Sequence, residues 1–233
     1  MRTKLQYVII MVAGILAASC KKDNYKAPSS QFSGRLVYQG ETINVSYNDV
    51  YFELWEPGWG KSIPINVSIS QDGKFSALLF NASYKLVIPA AQGPFRSIPD
   101  KTTNSDTIPL TISGNLTRDI EVLPYYMIRS PKFVTAGNTV TATFAAEKII
   151  KDVNARDIER VSLYVCKTQF VDGRNSVATK DLAGGNIADP AAISLQADVP
   201  ALVPAQKTVF ARVGIKVAGI EDMIYSPVQE ISL

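Results

Sequence analysis

The sequence predicts an all-β chain, two tandem β-sandwich domains set behind a removable leader. Three observations carry this expectation. Short runs alternate apolar and polar residues with a period of two, clusters of Gly, Pro, Asn and Asp separate those runs, and little helical periodicity follows residue 20. Alternation of this kind gives each strand one face for a core and one for water.

At the N-terminus, Arg2 and Lys4 precede an apolar stretch, Val8 to Ala17, which stops at Ala18-Ser19-Cys20 before Lys21, Lys22 and Asp23. It falls short of the ~20 apolar residues of a spanning helix, and charge, apolar run and small residues in that order describe an export signal. Leu16-Ala17-Ala18-Ser19-Cys20 resembles the lipobox of bacterial lipoproteins, although Ala17 stands where Leu or Val is more usual. The resemblance implies that residues 1–19 are removed and that Cys20 becomes an acylated first residue, each buried methylene contributing about 0.8 kcal/mol to anchoring. A plain secretory leader, or a buried apolar segment, with a chance cysteine is the alternative. No Asp directly follows Cys20, which favours the outer over the inner membrane and leaves open the side the protein faces.

Residues 20–31 are polar, with Pro28-Ser29-Ser30, and read as a lipidated tether. A first strand follows at Phe32 to Val37. Val50, Phe52 and Leu54 then alternate with Tyr51, Glu53 and Trp55 until Pro57-Gly58-Trp59-Gly60 breaks the run. Ile65, Val67 and Ile69 alternate with Asn66, Ser68 and Ser70, and the link Gln71-Asp72-Gly73-Lys74 before Phe75, Ala77 and Leu79 predicts a hairpin. Further strands are expected at Tyr84 to Ile88 and Leu116 to Val122, with residues 89–115 in long loops around a short strand near Ile108 to Ile112.

In the second half, strands are expected at Thr139 to Phe144 after the Gly137-Asn138 turn, at Ile158 to Cys166, at Val209 to Val217 and from Ile224 to Ile231. Val171 to Pro190 reads as loop, and Glu147 to Val153 offers the main helical propensity. The strand count suits two domains, 32–123 and 124–233, better than one, with the break at Leu123-Pro124-Tyr125-Tyr126. Two bulky tyrosines at the join suit an interdomain contact, and Pro131 permits a further break.

Composition narrows the chemistry. The formal net charge of +3 falls close to neutral once Arg2 and Lys4 are removed, so neither nucleic-acid binding nor a broad basic membrane patch is indicated. The chain has no histidine and two cysteines, which removes His-based triads, imidazole metal sites and four-cysteine zinc sites. With Cys20 acylated, Cys166 is left as a lone thiol, expected as a small semi-buried strand residue. Glu53 with Glu56, or Glu221 with Asp222, permits a glycosidase acid pair, but closeness in sequence does not establish the required separation. Asp100, Asn104 and Asp106 offer calcium oxygens without EF-hand spacing and read as a polar loop. No catalytic residue, cofactor or metal is expected.

What remains is an aromatic cluster. Tyr47, Tyr51, Trp55 and Trp59 are interspersed with Glu53 and Glu56, and Phe95 sits between Gly93-Pro94 and Arg96 in a loop that would join the same end. Aromatic faces stack on sugar C–H faces while nearby carboxylates take hydroxyls, and the same composition marks protein interfaces. Sheet-edge packing, protein contact and glycan contact all remain open for these residues.

Phe32-Ser33-Gly34-Arg35-Leu36-Val37-Tyr38, then Val50 to Leu54, then Asp72-Gly73-Lys74-Phe75, then Tyr84 to Ile88 together resemble the prealbumin-like sandwiches known as carboxypeptidase-regulatory-like domains. With the lipobox and a β-rich, immunoglobulin-like second half, the whole chain resembles the two-domain Bacteroidota lipoproteins of the domain of unknown function 3823 family. That resemblance implies a cell-envelope lipoprotein often encoded beside SusC/SusD-type glycan-uptake systems, and it carries over no catalytic residues. The function expected is a noncatalytic accessory or binding lipoprotein whose partners are the membrane, through its lipid, and polysaccharide or SusC/SusD-type proteins. A protein-contact or spacer module without sugar binding is the alternative, and a glycoside hydrolase a more distant one.

Overall fold

The structure, a computed structural model, describes residues 26–58, 63–101 and 104–233; the leader, Cys20 and Trp59 lie outside the described residues. It is a chain of short strands in two domains, as the period-two alternation predicts.

The first domain contains β1 (Ser30–Tyr38), β2 (Glu41–Thr42), β3 (Tyr51–Trp55), β4 (Ile65–Ser68), β5 (Lys74–Leu79), β6 (Ala82–Val87), β7 (Phe95–Ser97), β8 (Ile108–Ile112), β9 (Leu116–Thr117) and β10 (Ile120–Pro124). One sheet runs β4-β3-β6-β8 and is antiparallel throughout. The other is organised on β1, with β5 and β2 on one edge, β9 and β10 parallel to β1 on the other, and β7 outside β10. The inward faces meet in a core where Phe32, Phe52 and Phe75 pack with ring centroids 4.9 to 6.2 Å apart. Val50, Phe52 and Leu54 are buried while Tyr51, Glu53 and Trp55 stay part-exposed, the two-faced strand read from the sequence.

Two local readings change. The predicted hairpin at Gln71–Lys74 is a tight turn, with Ser70 donating to the Lys74 carbonyl at 2.8 Å, but β4 pairs with β3 and β5 pairs with β1. The turn therefore carries the chain from one sheet to the other. Gly73 (φ 73°) lies where a β-carbon would strike the Ile43 carbonyl, and its own carbonyl accepts from Leu36, so packing on the β1 side redirects the chain. The single strand expected at Leu116 to Val122 is split, because Arg118 passes over Gly34 so closely that no β-carbon fits there. The Asp119 carboxylate takes the Arg35 N–H at 2.9 Å in place of a ladder bond and pairs with its guanidinium.

The second domain contains β11 (Tyr126–Ala136), β12 (Thr139–Lys148), β13 (Ile158–Cys166), β14 (Ser176–Ala183), β15 (Ile193–Asp198), β16 (Thr208–Val217), β17 (Ile224–Tyr225) and β18 (Gln229–Ser232). β11-β12-β15 form one sheet and β14-β13-β16 the other, with β17 and β18 both pairing with β16. Pro131 does not end β11 but sits in a bulge between Arg129 and Lys132, beside Ser130 at φ 48°. Glu147 and Lys148 close β12, so the helical propensity there gives way to strand pairing. β14 lies in the segment read as loop: Ser-Val-Ala-Thr-Lys-Asp-Leu-Ala is an edge strand without a buried face, and it carries no apolar alternation to detect. β15 and β7 are likewise present where the sequence suggested no strand.

The domains share a continuous apolar core. Tyr125 and Tyr126 are buried at the join, as their bulk suggested. Tyr125 donates to the Pro94 carbonyl at 3.1 Å and accepts from Ile149 at 3.0 Å, and the Tyr126 hydroxyl donates to the Arg156 carbonyl at 2.9 Å. A second cluster, Tyr164, Cys166, Val171, Met223 and Tyr225, covers the other face of the β13 sheet. Cys166 is therefore fully buried instead of semi-buried, and burial raises its thiol pKa, keeping it protonated and unreactive.

Candidate functional site

The predicted aromatic cluster divides in the folded chain. Trp55 closes β3 on the outward face of the β4-β3-β6-β8 sheet, opposite Lys85, which in turn pairs with Pro109. Its indole Nε1 donates to Glu53 Oε2 at 2.8 Å, which fixes the ring and spends one carboxylate oxygen. In the next rows Asn66 faces Glu53, and Ser68 faces Tyr51. Tyr51 and Trp55 are four residues apart on one face, or ~13 Å at the rise of a strand. Glu56 is half-buried and close to Tyr84, whose hydroxyl pKa is raised by burial first and by Glu56 second.

Tyr47 and Phe95 are not part of this surface. Tyr47 lies at the domain junction, its ring 5.1 Å from that of Phe170 and its carbonyl accepting from Arg174. Phe95 is a correction to the sequence reading: it is 4% exposed, packed beneath Gly93 and placed in β7, which pairs with β10, so it belongs to the core. Trp59 lies outside the described residues.

The junction itself holds the most strongly perturbed groups. Arg174 clamps it, bonding Asp49 Oδ1 at 2.9 Å on the first domain and both oxygens of Asp172 on its own. Those bonds hold the Asp172 carboxyl below its usual pKa against the opposing effect of burial. Beside them a cleft of about 230 Å³ is lined by Asp49, Asp172, Arg174, Lys216 and Asp222. Burial, then Asp49 and Glu221, push the Asp222 carboxyl up to about 6. The cleft is smaller than the ~300 to 1,000 Å³ usual for ligand pockets, and its acids are engaged by Arg174 or repelled by one another.

Behind it Arg212, 1% exposed, lies 3.7 Å from the Tyr225 ring centroid and donates to the Val45 carbonyl at 2.9 Å. Burial pushes its pKa down to about 10. Arg212 and Lys216 share the face of β16 opposite Val209, Ala211, Val213, Ile215 and Val217, and nothing in the local sequence marks that the first domain reaches Arg212 there.

Among the described residues no helix is long and apolar enough to cross a membrane, and no group of three His, Cys, Asp or Glu residues is placed to hold a metal. Asp100 and Asp106 of the loop considered for calcium border different cavities.

Residues 30–123 match the N-terminal domain of a protein of unknown function, DUF3823, and residues 126–230 match the DUF3823 C-terminal domain of unknown function. A DUF3823 family protein from Parabacteroides merdae is 32% identical, with 89% of this chain and all of that one covered at a TM-score of 0.76. The chain belongs to the DUF3823 family. A DUF3823 protein from Bacteroides ovatus is 28% identical over 88% of this chain and all of its own, TM-score 0.74. A protein from Bacteroides uniformis described as a putative carbohydrate binding protein shares the DUF3823 fold at 20% identity, over 88% of this chain and all of that one, TM-score 0.69. No curated protein matches the chain. In this DUF3823 chain the outward β3 face and the charged junction are thus the two arrangements that local chemistry sets apart, and the junction is occupied in holding the domains together.

Proposed function

We propose that this chain is a noncatalytic, lipid-anchored envelope protein that holds a glycan on the outward face of the β4-β3-β6-β8 sheet, as an accessory of a SusC/SusD-type uptake system. The observation that carries the reading is the Trp55 indole, immobilised by Glu53 on an open sheet face and flanked by Asn66 and Lys85. A fixed ring stacks on a sugar face at small entropic cost, and the surrounding carboxylate, amide and ammonium supply hydroxyl partners. The carbohydrate-binding description of the Bacteroides uniformis relative agrees with this use of the fold. The uptake system rests on the family resemblance, the anchor on the Leu16 to Cys20 sequence, and the outer-membrane location on Lys21, not Asp, following Cys20.

Affinity electrophoresis in gels containing single polysaccharides tests the proposal. At least one glycan retards the wild type, and Trp55→Ala removes the retardation while its circular dichroism is unchanged. Equal retardation of the two proteins, or none on a broad panel, rejects the Trp55 site and leaves a protein partner as the function of this face.

A further inference from the structure

The two ends of the first domain differ sharply. One end, formed by residues 39–50, 70–74, 88–95 and 121–125, docks on the second domain. The opposite end collects the start of β1, the end of β3, the start of β4, the β5–β6 turn and the β8–β9 turn, as the registers Ser30 with Leu79, Trp55 with Lys85 and Ala82 with Ile112 require. There Ile63 is 69% exposed, Ile65 41%, Leu78 60% and Phe80 41%. These four stand at one end of the sandwich, Leu78 on the outward face of β5 with Lys74 and Ser76, and Ile65 on the side of β4 that also carries Val67. β4 and β5 belong to opposite sheets ~10 Å apart, and Ile65 and Leu78 stand at similar distances from the turn that joins them. An apolar patch on an edge strand is unfavourable in water unless something covers it.

We infer that this end of the first domain lies on the bilayer, with Ile63, Ile65, Leu78 and Phe80 dipped into the lipid headgroup region. The inference rests on the reading that Cys20 is acylated. Nine residues lie between Cys20 and Ser30, where β1 begins next to Leu79, so the patch is tied within ~35 Å of the anchored cysteine. Charge agrees with a lipid partner: residues 26–32, 56–58, 63–65, 78–84 and 111–117 contain a single acidic residue, Glu56, together with Lys26. An anionic membrane surface therefore meets little opposing charge at this end. The first domain then stands upright on the membrane and holds the second domain away from it.

The test uses the full acylated protein carrying Ile63→Cys, Leu78→Cys or, as a control on the second domain, Val134→Cys, which replaces a residue 62% exposed. Cys166 is fully buried and does not compete for the label. Each variant is tagged with an environment-sensitive dye and reconstituted into phosphatidylethanolamine–phosphatidylglycerol vesicles holding a quencher on the lipid tail. Quenching several-fold stronger at positions 63 and 78 than at 134 is expected. Equal quenching in chains that float with the vesicles overturns the docked end while leaving the anchor intact. Failure to float removes the anchor, and the inference with it. Shielding of positions 63 and 78 that follows protein concentration without vesicles replaces the bilayer with a second copy of the chain.

Discussion

Replacing Arg212 with methionine should leave stability within about 2 kcal/mol of the wild type, although it removes a cation buried between the domains. The depressed pKa, about 10 against 12.5, corresponds to roughly 3 kcal/mol by which burial disfavours the charge, and methionine relieves that cost. Against it stand the stacking on Tyr225, about 2 kcal/mol for a desolvated cation over a ring, and the Val45 carbonyl left without its donor, about 1 to 3 kcal/mol. Among the described residues Nε and Nη2 have no hydrogen-bond partner, so nothing further is lost with them. The opposing contributions nearly cancel. Arg212→Ala relieves the same charge but also empties the site, and should cost about 2 to 4 kcal/mol more than methionine. Urea unfolding curves of the three proteins, compared at equal m-value, measure both differences. A methionine variant as unstable as the alanine one would refute the reasoning, because the guanidinium's bonds would then outweigh its desolvation.

Asp222→Asn should stabilise the protein at pH 7 by about 1 to 2 kcal/mol, a value discounted for the part-exposed carboxylate. Its folded pKa, about 6, lies above the ordinary value of 3.8, so the wild type loses stability as pH rises from about 4 through 6. Urea midpoints at pH 4.5 and 7 should therefore converge for the variant relative to the wild type. Asp172 has the opposite sign: its carboxyl is held low by Arg174, so its contribution is present above the ordinary carboxylate range and is lost as acid titrates the folded group. Arg174→Ala should shift the acid-unfolding midpoint upward, read by circular dichroism. Phe95→Ala should cost about 3 to 5 kcal/mol in urea unfolding, as a core residue. Trp55→Ala should cost about 1 kcal/mol or less, as a residue on an outward face. Cys166 should react with a thiol reagent only as fast as the protein unfolds, and prompt reaction of the native protein would contradict its burial.

Strands with one wet face were legible because alternation states both their period and their buried side. The Val50 to Trp55 and Ile158 to Cys166 runs reappear as β3 and β13 almost residue for residue. β14 escaped detection because an edge strand that buries little needs no apolar pattern, and the Gln71–Lys74 turn looked like a hairpin because local turn chemistry does not record which sheet receives the next strand. At the candidate site, Tyr51, Glu53 and Trp55 were placed on one face by parity alone. The indole–carboxylate bond and the separation of Tyr47 and Phe95 from that face depend on contacts between residues distant in sequence.

By itself the sequence determined the all-β class, the order of the principal strands, the two-faced character of β3 and the absence of histidine chemistry, since composition and period-two patterning are properties of short segments. The tertiary structure decided what those segments meet. It buried Arg212 and Cys166 beneath the other domain or its covering loops, raised Asp222 by enclosing it with Asp49, and gathered Ile63, Ile65, Leu78 and Phe80 at one end of a sandwich. Burial and electrostatic environment depend on neighbours brought together through space, and a local pattern does not encode those neighbours.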